Sequence, residues 1–172
     1  MAANRVIDAR LVILEQIGKR PGIRYRELLR STGLSNGVLE HHLKILEKTH
    51  KVKVDSSGGK RTGYYSIDIL EDESHILAAI RNNVSRQIVT FILVHEPFTF
   101  NEILEHTKKA PSTLSWHLKR LSRAAIISVT YGQEYQLYKV LNSKFVEGIL
   151  YKYRESLREK AVIGCYPVFE RL

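Results

Sequence analysis

Apolar residues recur along this chain in two rhythms, and the order of those rhythms is repeated once. From Val6 to Lys19 they fall at Val6, Ile7, Leu11, Leu14 and Ile17, with Val12 and Ile13 widening the stripe. That spacing gives a helix one buried face. The run KRPG stops it, because proline cannot continue a helix and glycine tolerates the turn. YRELLRSTG predicts a short second helix ended at Gly33. Ser35 is placed to cap a third helix by accepting a bond from a free amide. In that helix Leu39, His42, Leu43 and Leu46 share one face. The period then drops to two. Val52 and Val54 alternate with lysines, Tyr65 and Ile67 alternate on the return, and a Gly- and Ser-rich tip lies between them, which predicts a β-hairpin.

An offset of 75 residues lays this pattern on a second copy of itself. VLEHHLKILEK (Val38 to Lys48) falls on TLSWHLKRLSR (Thr113 to Arg123), keeping Leu39/Leu114, His42/His117, Leu43/Leu118, Lys44/Lys119 and Leu46/Leu121. Ile13 and Ile17 fall on Ile88 and Ile92, and Val52 and Val54 on Ile127 and Val129. The second copy predicts helices over Arg81 to Val94, FNEILEHT and APSTLSWHLKRLSRA, then a hairpin over ISVTYGQEYQLYKV. Two stretches lie outside the repeat. Residues 70–80 predict a linking helix. KFVEGILYKYRESLREK predicts one amphipathic helix with Phe145, Ile149, Leu150, Tyr153 and Leu157 on one side, followed by the apolar tail AVIGCYPVFERL. The expected organisation is a domain over 1–69, the linker over 70–80, a second domain over 81–141 and the C-terminal segment over 142–172. Three helices and a hairpin, with a short second helix and a turn before the third, make the helix-turn-helix plan with a β wing. The fold class is mainly α with small β-hairpins (α+β), two such domains in tandem plus a C-terminal helix.

Composition narrows the function classes. Each half of the 172 residues is near the lower limit for burying its own core. No apolar run is long enough to span a bilayer, and no signal-peptide pattern opens the chain, so a cytoplasmic protein is expected. One cysteine, Cys165, leaves no intramolecular disulfide framework and no multi-cysteine zinc site. No Gly-rich phosphate loop, metal-ligand motif or nucleophile elbow is present, so neither an enzyme nor a cofactor is expected. The net charge of +9 favours a polyanionic partner. Residues 1–70 hold 13 Lys/Arg against 7 Asp/Glu and residues 71–172 hold 14 against 11, so the first half is the more cationic.

The stretches GLSNGVLEHHLKILEK and KAPSTLSWHLKRLSRAAII resemble the recognition-helix signature of ArsR-like winged helix-turn-helix transcription regulators. With both repeats carrying it, the chain is similar to archaeal proteins that hold two such domains in tandem, the archaellum regulators of euryarchaea being one subgroup it resembles. The resemblance implies sequence-specific binding of double-stranded DNA in transcription regulation, with the basal transcription machinery as a further partner. Metal-sensing members of that family use cysteine clusters or acidic-histidine sets, which this sequence lacks, so the likeness implies fold and DNA binding and no metal.

The candidate contacts follow from helix geometry. The first recognition helix, 35–48, turns Ser35, Asn36, Gly37, Glu40, His41, Lys44 and Lys48 outward. The second, 111–123, turns out Ser112, Thr113, Ser115, Trp116, Lys119, Arg120 and Arg123. Glu40 either accepts from cytosine or pairs with Lys44 four residues on, and the pair is favoured. Trp116 either packs on its domain or meets sugar-phosphate and thymine methyls, and packing is favoured. His42 and His117 are expected to be structural, each with a ring nitrogen bonded to backbone. Arg24 and Arg26, with Lys19, Arg20 and Arg30, are placed to meet phosphate, as are Lys60 and Arg61 in the first wing tip, there with the minor groove as a second target. The second tip, YGQEY, has no cation. If both recognition helices seat on one face of straight B-DNA, their centres lie about 34 Å apart. The alternative reading is a protein-protein scaffold in a transcription or replication complex. The C-terminal segment either caps the second core or pairs two chains into a homodimer, whereas a monomer already carries two readers.

Overall fold

Asp8 sets the start of the first helix: its carboxylate accepts the Arg10 N–H at 3.0 Å, capping α1 (Ala9–Lys19). The structure is a computed structural model that describes residues 8–55, 62–94, 97–132 and 134–158. Val6 and Ile7 lie outside the described residues. Two compact units divide the chain between Ser74 and His75.

In the first unit α2 (Tyr25–Thr32) ends at Gly33, whose φ of 66° is the left-handed conformation that glycine adopts at no steric cost. The third helix, α3 (Asn36–Lys48), leads into β1 (Val52–Asp55) and β2 (Gly63–Ser66). These strands pair antiparallel, with Val52 opposite Ser66 and Asp55 opposite Gly63. Helix α1 packs on α2, α3 and β2. The core they enclose is built from Ile13, Ile17, Ile23, Leu28, Leu39, Leu43, Leu46, Val52 and Tyr64. The hairpin departs from simple alternation. Val54 is exposed, Tyr64 and Tyr65 are both buried though they point to opposite faces, and Ile67 falls beyond the strand. Gly63, Tyr64 and Tyr65 are thus buried in succession on β2, and on β1 Val54 alone turns out to solvent.

Helix α4 (Glu71–Ile80) opens with Glu71, Asp72 and Glu73, acids at the end where the helix dipole favours them. In the second unit Asn82 fixes the next start: its side-chain oxygen accepts the N–H of Val84 and of Ser85, at 3.0 and 3.1 Å. Helix α5 is therefore Asn83–Val94, two residues shorter than its apolar stripe predicts. A strand that the apolar rhythm does not show, β3 (Phe98–Thr99), precedes α6 (Phe100–Thr107). Thr99 and Glu102 form a reciprocal cap there, Thr99 N–H donating to the carboxylate at 2.7 Å and Glu102 N–H to the hydroxyl at 3.4 Å. Helix α7 (Pro111–Arg123) starts on proline, which is preorganised for a first helical position. Strands β4 (Ile127–Tyr131) and β5 (Gln136–Val140) follow in a sheet of order β3-β5-β4. The first unit has a single bridge, Ile23 to Tyr64, where the second has β3.

The repeat extends to the backbone turns. Gly33 and Lys108, 75 residues apart, both close a helix with positive φ, as do His50 and Ala125 in the turns after α3 and α7. The C-terminal segment is not one helix. It breaks at Tyr153 into α8 (Ser143–Lys152) and α9 (Arg154–Arg158). Its buried strip is Val146, Ile149, Leu150 and Leu157, whereas Phe145 is exposed and Tyr153 half-buried. The strip begins one residue later than the stripe predicts, which turns Phe145 out. The apolar tail beyond Arg158 lies outside the described residues.

Candidate nucleic-acid interface

Helices α3 and α7 bury the same positions. Leu39 and Leu114 are wholly buried, as are Leu43/Leu118 and Leu46/Leu121 to within a few per cent. The histidines between them differ. His117 is buried, and its Nδ1 is 2.9 Å from the Ser85 hydroxyl on α5, not on a backbone group as expected. His42 is half-buried, and its Nδ1 has no hydrogen-bond partner. The reason is in the repeat: Arg10 stands where Ser85 stands in the second copy, so the hydroxyl is missing.

Burial holds the His117 imidazole below its ordinary 6.5, and the charge of Arg120 acts in the same direction. His106, stacked at 3.9 Å on Phe91, is lowered by burial too. A lowered histidine is favoured neutral in the folded chain, while the unfolded chain binds the proton more readily. Stability is therefore full above the ordinary value and is lost as pH falls through 6.5 towards the folded value. Urea midpoints taken above and below that pH are expected to drop on acidification, and to drop less in His117→Gln. Equal pH sensitivity in the variant would assign the effect to His106.

On the outward face of α3, Ser35, Asn36, Gly37, His41, Lys44 and Lys48 are all exposed. Ser35 occupies the capping position, but its hydroxyl makes no capping bond; its carbonyl accepts the Leu39 N–H at 3.0 Å instead. Asn36 is held by the Tyr25 hydroxyl, which donates to its side-chain oxygen at 2.8 Å and ties the start of α2 to the start of α3. Glu40 and Lys44 form the expected pair at 2.7 Å. The bond to Lys44 lowers the carboxyl's pKa and raises that of the ammonium. The basic cluster before and along α2 is partly engaged as well. Lys19 pairs with Glu15 at 2.6 Å, and Arg30 Nε donates to the Arg26 carbonyl at 3.3 Å. Arg26 is exposed and Arg24 half-buried. Lys60 and Arg61 lie outside the described residues.

Helix α7 offers a different surface. Ser112, Thr113, Ser115, Trp116, Lys119 and Arg123 are exposed and Arg120 is half-buried, with no carboxylate from Pro111 to Arg123. Lys119 and Arg123, with Ser115 and Ser122, line a groove of about 550 Å³ whose other wall is the wing, including Tyr131 and Gln136. The second wing also exposes Tyr131, Glu134 and Tyr135. Sequence reasoning missed Ser122, Tyr131 and Gln136: Ser122 lies seven residues after Ser115, a helix-spacing signal, and hairpin register brings Tyr131 opposite Gln136. Trp116 corrects an expectation. It is 56% exposed instead of packed, because Leu114, His117, Leu118 and Leu121 already fill the inward face.

Among the described residues no helix is long and apolar enough to cross a membrane, and no group of three or more His, Cys, Asp or Glu gathers where a metal ion would sit. Residues 84–129, from α5 into β4, match the arsR family of bacterial regulatory proteins. Residues 8–53, from α1 into β1, match winged helix-turn-helix DNA-binding domains. An uncharacterized HTH-type transcriptional regulator of Methanocaldococcus jannaschii is 28% identical over 120 residues. The match covers 70% of this chain and 30% of that relative, so the chain spans about a third of its length.

Proposed function

The chain is a tandem winged helix-turn-helix protein of the ArsR-like type, and from that premise we propose that it is a sequence-specific regulator of transcription that binds double-stranded DNA. The helices over 35–48 and 111–123 enter major grooves, Lys60 and Arg61 of the first wing meet backbone or minor groove, and no catalytic step is involved. The observation that carries this reading is the outward face of α7: three cations and five hydroxyl-bearing or indole groups on one helix, with no acid among them. Such a face gains from condensed counterions released by phosphate, and its small residues near the N-terminus allow close approach to base edges. The domains, the linker and the C-terminal segment divide at 1–69, 70–80, 81–141 and 142–172 in this reading.

The two faces are not equivalent. Glu40 neutralises Lys44 and opposes phosphate at the centre of α3. Glu40→Gln is expected to bind a random-sequence duplex about fivefold more tightly at physiological salt and to steepen the salt dependence by about one phosphate's worth. Titration of the full chain with labelled duplex over a salt series tests both statements. No measurable duplex binding by the wild type would end the DNA reading. Weaker binding by the variant would make Glu40 a base contact, accepting from cytosine. The scaffold alternative draws support from the second wing alone, where Tyr131 is 78% and Tyr135 61% exposed beside Glu134. Exposed aromatics on a wing tip that itself carries no cation suit a protein surface better than phosphate.

A further inference from the structure

Trp116 is the chain's one tryptophan and stands 56% exposed in the middle of α7. An indole left in water forgoes a large apolar burial, so tryptophans are highly buried on average. This one has no core to enter. It is also not left loose. The ring stands edge-on to His117, centroids 4.8 Å apart at 89°, and the Arg120 guanidinium lies 5.8 Å from its centroid. The buried imidazole anchors one side of it, and the arginine, one turn on, flanks another.

Its bearing on the helix matters. At about 100° per residue, Ser115 and Ser122 lie nearly in line, and Lys119 lies about 40° round from them. These are the residues that face the wing across the groove. Trp116 and Arg120 lie about 100–140° round from Ser115, on the flank away from the wing. Ser112 and Arg123 fall between the two sets. When the outward strip faces a major groove, one flank carries cations and hydroxyls and the other presents an indole. In the first domain the same two positions are His41 and Ile45, so this flank is particular to the second domain.

Resting on the duplex-binding reading above, we infer that Trp116 is a specificity-determining residue of the second recognition helix, packing against the 5-methyl groups of thymine, with Arg120 and His117 as its positioning residues. The major-groove edges of the base pairs offer donors, acceptors and one apolar group, the thymine methyl. An indole held on that flank meets it with apolar area, and its N–H remains available to an acceptor edge or a phosphate oxygen. Trp116 then recovers on binding the burial that folding left unmade.

The single tryptophan makes this measurable. The probe is the duplex that the full chain enriches from a random-sequence pool, synthesised once with thymidine and once with deoxyuridine at every T. Saturating the chain with it is expected to quench or shift Trp116 emission. Loss of the methyls should weaken wild-type binding about fourfold for each methyl contacted, the factor that burying one such group supplies. Trp116→Ala should bind both duplexes alike. Trp116→Phe should retain part of the preference for thymidine. Being exposed, position 116 tolerates these changes without loss of the fold. Duplex binding without any change in emission, equal wild-type affinity for the two duplexes, or an undiminished preference in Trp116→Ala each overturns the inference and leaves duplex binding intact. Failure to bind any duplex removes both.

Discussion

Lys119→Ala combined with Arg123→Ala is expected to weaken binding of the full chain to any duplex by about thirtyfold at physiological salt, and to lower the slope of log K against log salt by about 2. Each phosphate neutralised contributes about 0.9 to that slope, and between 1 M and about 0.15 M salt this amounts to about fivefold per contact. The two side chains sit one turn apart on α7, both exposed, both lining the groove between helix and wing. No carboxylate on that helix offsets them. The matched change in the first domain, Lys44→Ala with Lys48→Ala, should cost less, because Glu40 already holds Lys44 at 2.7 Å. Removing Lys44 alone also leaves Glu40 facing the duplex, so that cost mixes a lost attraction with an exposed repulsion. Anisotropy of a labelled random-sequence duplex over a salt series separates the two domains. A larger loss from the first-domain pair would make α3 the principal contact, and unchanged slopes for both would remove recognition helices from the phosphate contacts altogether.

That ordering reverses what a charge count suggests. The first half of the sequence carries the larger excess of Lys and Arg. Several of those cations are held within the domain: Lys19 by Glu15, Lys44 by Glu40, and Lys53, whose ammonium donates to the Ile69 carbonyl. The first two are four-residue pairs that helix spacing makes visible in the sequence. The third joins a strand to a turn beyond its partner strand, which no local rule reveals. Net charge sums over a domain, whereas a duplex meets only one face of it.

The inward half of the repeat was legible for the opposite reason. Leucines at three- and four-residue spacing say which way a helix faces, and Leu39, Leu43 and Leu46 and their counterparts Leu114, Leu118 and Leu121 are buried as spaced. What escaped depends on contacts distant in sequence or on very short elements. The two residues of β3 are too few to show a period. The Ser85–His117 bond spans 32 residues. Trp116 was misread because an aromatic residue argues for burial by its type, and its exposure is set by neighbours that have already filled the inward face.

Leu114→Ala should show how separate these two faces are. Leu114 is wholly buried in α7, and truncation removes its methyl groups from a packed interior while leaving a cavity, at a cost of about 3 kcal/mol within the usual 2–5. A domain of this size has roughly 5–15 kcal/mol in all, so the loss is a large share. Leu39→Ala, at the same place in the first repeat and equally buried, should cost a similar amount. Trp116→Ala, two residues along the same helix, should change stability by no more than about 0.5 kcal/mol. Urea unfolding followed by helical circular dichroism measures all three, and in Leu114→Ala the emission of Trp116 follows α7 itself. A cost for Leu114→Ala below about 1 kcal/mol would mean that the second domain's centre lies elsewhere. A comparable cost for Trp116→Ala would return the indole to a packing role. With the expected outcome, a change at 114 reduces DNA binding only by reducing the folded fraction, and is rescued where the protein is fully folded. A change at 116 alters which duplex is preferred at undiminished stability, and that difference distinguishes a residue that builds the helix from one that reads with it.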